Sequence, residues 1–144
     1  MPAAGVARNL PRTILIVEDE VIVLDLLTNV LVREGYETVS ARDGQQALSL
    51  FHQHARELVL IVADIAMPKL SGPEFIDQLP TLLPRVPVIF ISGLGEYQVR
   101  AAVPASFPVL QKPFTPEQLV TSVKSAIADS HFREVDPPIP GSAV

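Results

Sequence analysis

The sequence predicts an α/β fold, a five-stranded parallel sheet doubly wound by helices on both faces. Three observations carry that prediction. Between residues 13 and 130, short apolar runs alternate with segments of helical periodicity in five successive β-α units. The apolar runs are nearly continuous, as expected of strands covered on both faces. Turn and capping residues (Gly35, Asp43, Pro73, Pro104, Pro116) mark the changes from one pattern to the other.

Taken in order, Thr13-Ile14-Leu15-Ile16-Val17 reads as the first strand. A helical pattern follows with Val23, Leu24, Leu27, Val30 and Leu31 on one face, and Gly35 is placed to end it. Thr38 to Ala41 is the second strand; Asp43 can cap a helix that turns Ala47, Leu48 and Phe51 inward. Leu58 to Ala63 is the strongest strand signal. A loop with Pro68 and Gly72 leads to a helix opened by Pro73. Val86 to Ile91 is the fourth strand, residues 95–103 a short fourth helix stopped by Pro104, and Phe107 to Leu110 a short fifth strand. Thr115 and Pro116 open the last helix, which carries Leu119, Val120, Val123 and Ile127 inward. Residues 1–12 read as a flexible arm, 13–130 as one domain, and 131–144 as a Pro-rich, extended or disordered tail.

Composition bounds the function. The chain has 144 residues, 48% of them apolar, enough for one domain with a real core. A net charge of −5 and the lack of a basic stripe argue against a nucleic-acid partner. Without cysteine, disulfides and thiolate metal sites are excluded. No signal peptide or membrane span is apparent, so a cytoplasmic protein with no membrane partner is expected.

The chemistry gathers at strand ends. Glu18 and Asp19 follow the first strand, Asp64 closes the third, Ser92 closes the fourth and Lys112 follows the fifth. In open parallel sheets, ligands bind outside the carboxyl ends of the strands. Three acids brought together repel one another, and a hard cation such as Mg²⁺ offsets that repulsion. Asp64 is then a candidate nucleophile toward phosphorus, giving an acyl phosphate. Lys112 and the Ser92 hydroxyl can balance charge on phosphoryl oxygens, and Gly93 leaves room for close backbone approach. Each residue alone has an ordinary reading: an acid pair suits a helix N-terminus, Asp64 a turn, and Ser92-Gly93 and Lys112-Pro113 are common loop pairs. Their joint placement at successive strand ends favours the site. His52 and His54, at i and i+2 on a helix, point apart and do not suggest a metal site.

These motifs, Ile-Val-Glu-Asp-Glu at 16–20, Ala41 to Leu48, Asp64 with Met67-Pro68 and Gly72, Ser92-Gly93 and Lys112-Pro113-Phe114, resemble the receiver domain of two-component response regulators over residues 13–130. The resemblance implies a flavodoxin-like (β/α)5 fold with strand order 2-1-3-4-5. It implies Asp64 as phosphoacceptor, Mg²⁺ held by Glu18, Asp19, Asp64 and the Ala66 carbonyl, and Ser92 and Lys112 against the phosphoryl group. It also implies a cis peptide before Pro113. The expected partners are a sensor histidine kinase or phosphotransfer protein and a downstream protein. The short tail and Met1 favour a stand-alone, single-domain regulator that is not an enzyme beyond its own phosphorylation and slow dephosphorylation; a phosphorylation-dependent dimer is left open.

The chain departs from the family at Val109, where receivers carry an aromatic switch residue. Phe107 lies two residues earlier on the same strand face. With Phe90-Ile91-Ser92-Gly93, this resembles a subgroup lacking the aromatic switch, although that subgroup has Ala and Thr where Ile91 and Ser92 stand. Ala66 and Leu94 flank the path of an attacking water, and neither side chain can orient it. Two other readings remain: a receiver-like scaffold that is not phosphorylated, and a haloacid-dehalogenase-type phosphatase. The second lacks the usual second acid, Ala66 standing at that position.

Overall fold

The computed structural model describes residues 12–79 and 86–135. Ten elements alternate: β1 (Thr13–Val17), α1 (Val21–Arg33), β2 (Glu37–Ala41), α2 (Gly44–His54), β3 (Leu58–Asp64), α3 (Gly72–Asp77), β4 (Val88–Ser92), α4 (Glu96–Ala102), β5 (Val109–Gln111) and α5 (Pro116–Val135). The strands form one parallel sheet in the order β2-β1-β3-β4-β5. Fold class and strand order are as the sequence implied.

The continuous apolar runs have a direct explanation. Side chains alternate along a strand, and both faces are covered. On one face Leu15, Val17, Ile61, Ala63, Val88 and Phe90 pack with Ala47 and Phe51 of α2, Phe75 of α3 and Val103 beyond α4. On the other, Ile14, Ile16, Leu60, Val62, Ile89 and Ile91 pack with Leu27, Val30 and Leu31 of α1 and Leu119, Val123 and Ala126 of α5. Phe75 is fully buried; truncating such a side chain costs about 3–5 kcal/mol.

Local signals bound the helices, at Gly35 and Asp43 as expected. Gly35 has φ +98° and closes α1, with its N–H on the Val32 carbonyl (3.0 Å) and Tyr36 N–H on Leu31 (3.1 Å). Asp43 Oδ1 accepts the Gln46 N–H at 2.8 Å. At α3 the cap is Ser71, whose hydroxyl accepts from Glu74 N–H while the Glu74 carboxylate accepts from Ser71 N–H.

Three boundaries differ from expectation by more than one residue. β4 begins at Val88 and β5 at Val109, each just after a proline. Pro87 and Pro108 have no N–H to give a ladder, although their carbonyls accept from Ile61 N (2.9 Å) and Phe90 N (3.0 Å). Helix α5 runs to Val135, past the expected boundary at residue 130. The segment 130–135 holds no Gly or Pro; the first breakers are Pro137 and Pro138, outside the described residues. The arm, apart from Arg12, and the tail from residue 136 also lie outside the described residues. Among the described residues, no helix is long and apolar enough to cross a membrane.

Candidate functional site

Parallel strands deliver their carboxyl ends to one edge. Val17 is level with Ala63, Asp64 with Ile91, and Ser92 with Gln111. Glu18, Asp64, Ser92 and Lys112 therefore emerge close together, although they span most of the chain. Glu18 and Ser92 are fully buried and Asp64 nearly so.

Lys112 is the hub. Its Nζ lies 2.8 Å from Glu20 Oε1, 2.9 Å from Asp64 Oδ2 and 3.1 Å from Glu18 Oε1. The approach to Glu18 Oε1 pairs the charges but misses the hydrogen-bond directions, and that buried oxygen has no hydrogen-bond partner. Glu18 Oε2 accepts the Glu20 N–H at 3.0 Å, and Asp64 Oδ1 accepts the Ala66 N–H at 3.1 Å. The Lys112–Pro113 peptide is cis, as the resemblance implied, with Pro113 exposed.

Burial raises the Glu18 carboxyl to about 7; the Glu20 backbone N–H draws it down, and the Asp64 charge pushes it up. Burial alone would lower the Lys112 ammonium, but its pairs with Glu20, Asp64 and Glu18 outweigh that and hold it above its ordinary value. Three carboxylates against one ammonium leave the cluster short of positive charge.

The acids converge differently from the sequence expectation. Carboxylate oxygens of Glu18, Glu20 and Asp64 lie within 4.8 Å of one another, and Asp19 is outside that group. The chain bends at Asp19 and is extended at Glu20 (φ −83°, ψ 115°), and the acids on either side of the bend, Glu18 and Glu20, both reach Lys112 Nζ. Asp19 is half-buried, and its carbonyl accepts from Arg42 Nη2 at 3.2 Å. Sequence reasoning missed Glu20; the run of three acids Glu18-Asp19-Glu20 after the first strand was the available signal.

The cluster suits a hard divalent cation on its own chemistry. Its donors are oxygens, it carries excess negative charge, and Glu18 Oε1 is buried without a hydrogen bond.

Ser92 is at the edge of the cluster. Its Oγ accepts the Leu94 N–H at 2.9 Å, and the Leu94 carbonyl accepts from Gln111 Nε2 at 2.9 Å. Leu94 is therefore gripped from both sides, by the hydroxyl residue and by the end of β5. Gln111 was not foreseen as part of the site. Gly93 is exposed, with the Lys112 stem passing beside it.

Val109 and Phe107 are half-buried on the same core face, as their spacing implied. The Phe107 ring stands edge-on to Phe90, centroids 5.4 Å apart. His52 lies edge-on to Phe51 and His54 pairs with Glu57 at 2.8 Å; neither joins the acidic cluster.

Comparison with known proteins bears on this geometry. The family described as response regulator receiver domain matches residues 14–124. The sensor kinase CckA of Brucella abortus (strain 2308) is 34% identical over 117 residues, covering 80% of this chain but 12% of CckA. The polar-differentiation response regulator DivK of Brucella anthropi is 28% identical over 127 residues, covering 84% of this chain and 100% of DivK. A chain of the CheX–CheY–BeF3–Mg²⁺ crystal structure from Borrelia burgdorferi superposes with TM-score 0.73 at 26% identity, covering 83% of this chain and 92% of that one.

Proposed function

The chain belongs to the response regulator receiver domain family, and from that premise we propose that Asp64 accepts a phosphoryl group from a phosphohistidine with the help of Mg²⁺. The observation that carries this reading is Asp64 itself, a nearly buried carboxylate at a strand end, hydrogen-bonded to Lys112 Nζ at 2.9 Å. In the transfer, an Asp64 oxygen forms a bond to phosphorus while the phosphorus–nitrogen bond breaks. The electron pair stays on the imidazole, which takes up a proton. The product on the chain is an acyl phosphate.

Glu18, Asp64 and the Ala66 carbonyl are the proposed metal ligands, with Asp19 joining them by family resemblance. Bound Mg²⁺ would offset the carboxylate charge and stabilise the negative charge spread over the phosphoryl oxygens. Lys112 supplies the fixed positive charge at the reacting oxygen. The Ser92 hydroxyl donates to the phosphoryl group, and in doing so turns from Leu94. Because the Leu94 carbonyl is tied to Gln111, that turn is felt at β5 and α4, and the protein signals through protein contacts. The proposed partners are a histidine kinase or phosphotransfer protein and a downstream protein; the chain acts as a switch in the cytoplasm and turns over no separate substrate.

Incubation with acetyl phosphate and Mg²⁺, followed by intact-mass spectrometry, tests this. One added phosphoryl group is expected, absent from Asp64→Asn and absent without the metal. A chain that gains no mass with acetyl phosphate or phosphoramidate would instead be a receiver-like scaffold, the reading that Val109 in place of an aromatic favours.

A further inference from the structure

We propose that Glu20 is a positioning residue for Lys112, holding its ammonium at the mouth of the carboxylate cluster and yielding it to an arriving phosphoryl group. The inference rests on the reading of Asp64 as phosphoacceptor.

An ammonium has three donors, and Lys112 Nζ meets three carboxylates, Glu20 at 2.8 Å, Asp64 at 2.9 Å and Glu18 at 3.1 Å. The three are not equal. The Glu18 and Asp64 side chains are 0% and 6% exposed, whereas that of Glu20 is 61% exposed. Parting a buried pair strands a charge away from water. An exposed carboxylate is rehydrated as it lets go, so the Glu20 pair is the cheapest to break.

The Glu20 backbone is anchored, while its side chain is exposed and its carboxylate bonds Lys112. Its N–H donates to Glu18 Oε2 at 3.0 Å, and its carbonyl accepts from Leu24 N–H at 2.9 Å. A phosphoryl group on Asp64 adds negative oxygens near Nζ, which repel the Glu20 carboxylate and offer Lys112 a replacement acceptor. The exchange is one of ion pairs; no covalent bond changes in it. Before the exchange, the Glu20 charge also opposes the approach of an anionic phosphodonor. Asp19, outside the cluster, does not share this role.

The test uses the full chain labelled with ¹⁵N-lysine, whose lysines are Lys69, Lys112 and Lys124. The Glu20 side chain makes no helix-capping hydrogen bond, so Glu20→Ala should fold. In the free protein, the Lys112 ammonium signal should shift in Glu20→Ala while those of Lys69 and Lys124 stay in place. With beryllofluoride and Mg²⁺, the wild-type and variant Lys112 signals should converge, because Glu20 has let go in both. Phosphoryl uptake from sub-saturating acetyl phosphate should quicken about fivefold in Glu20→Ala, the scale of one exposed ion pair, with Glu20→Gln in between. Coincident Lys112 signals in the free proteins, or equal uptake rates, would overturn the proposal. If the wild-type chain takes up no phosphoryl group, the phosphoacceptor reading falls, and the free-state signals still decide whether Glu20 holds Lys112.

Discussion

Gly72, at the start of α3, packs directly against the backbone of Asp64. A Cβ at Gly72 would collide with the Asp64 carbonyl oxygen and lie 3.2 Å from Phe90 Cε1. The Gly72 N–H also donates to the Ile65 carbonyl at 3.1 Å. A residue without a side chain is what lets α3 close against the strand end that carries Asp64, the proposed phosphoacceptor.

Gly72→Ala should therefore push α3 away from β3. A loss of about 1–3 kcal/mol, typical of overpacking, is expected in urea unfolding. Phosphoryl uptake should slow as well, since the displaced backbone is that of Asp64. An alanine variant with wild-type stability would mean that the loop yields freely at this point.

The Glu18 carboxyl sets a pH dependence. Its folded-state value of about 7 lies above the ordinary 4.5. Between those values the folded chain binds more protons than the unfolded one, so stability falls as pH rises. In metal-free protein, the contribution of this group is most favourable below about pH 4.5 and is lost on passing through about pH 7. Urea midpoints between pH 5 and 8, compared with those of Glu18→Gln, measure this slope; the variant should be flatter. The proposed Mg²⁺ would compete with that proton, so its affinity should weaken as pH falls below about 7.

Gln111→Ala should release the Leu94 carbonyl. Faster hydrogen exchange is expected at Leu94 and the neighbouring amides ahead of α4, with global unfolding changed by less than about 1 kcal/mol, the net worth of one hydrogen bond. Unchanged exchange would show that Ser92 alone holds the segment.

The phosphorylated chain should lose its phosphoryl group slowly. The Ala66 and Leu94 side chains have no polar atom with which to hold an attacking water. Ala66→Asn should speed the decay by about tenfold, the kinetic worth of one well-placed hydrogen bond of roughly 1.4 kcal/mol. A time course of phosphoprotein decay checks both rates.

The five-fold alternation, the strand order implied by family likeness and four of the converging residues were legible in the sequence. Apolar runs, caps and strand-end positions are local signals, and strands buried on both faces leave little choice of architecture. The sequence by itself placed Glu18, Asp64, Ser92 and Lys112 at strand ends. Only the tertiary structure decided which acid meets Lys112. The backbone at residues 18–20, bent at Asp19 and extended at Glu20, brings Glu18 and Glu20 to the ammonium and leaves Asp19 out of the cluster, which a count of adjacent acids does not reveal. Tertiary packing also gave Gly72 its role, because its neighbour in space is eight residues back along the chain at Asp64. The tie from Gln111 to Leu94 likewise joins residues 17 apart. Such pairings depend on how strand ends and loops meet in three dimensions, and no local periodicity encodes them.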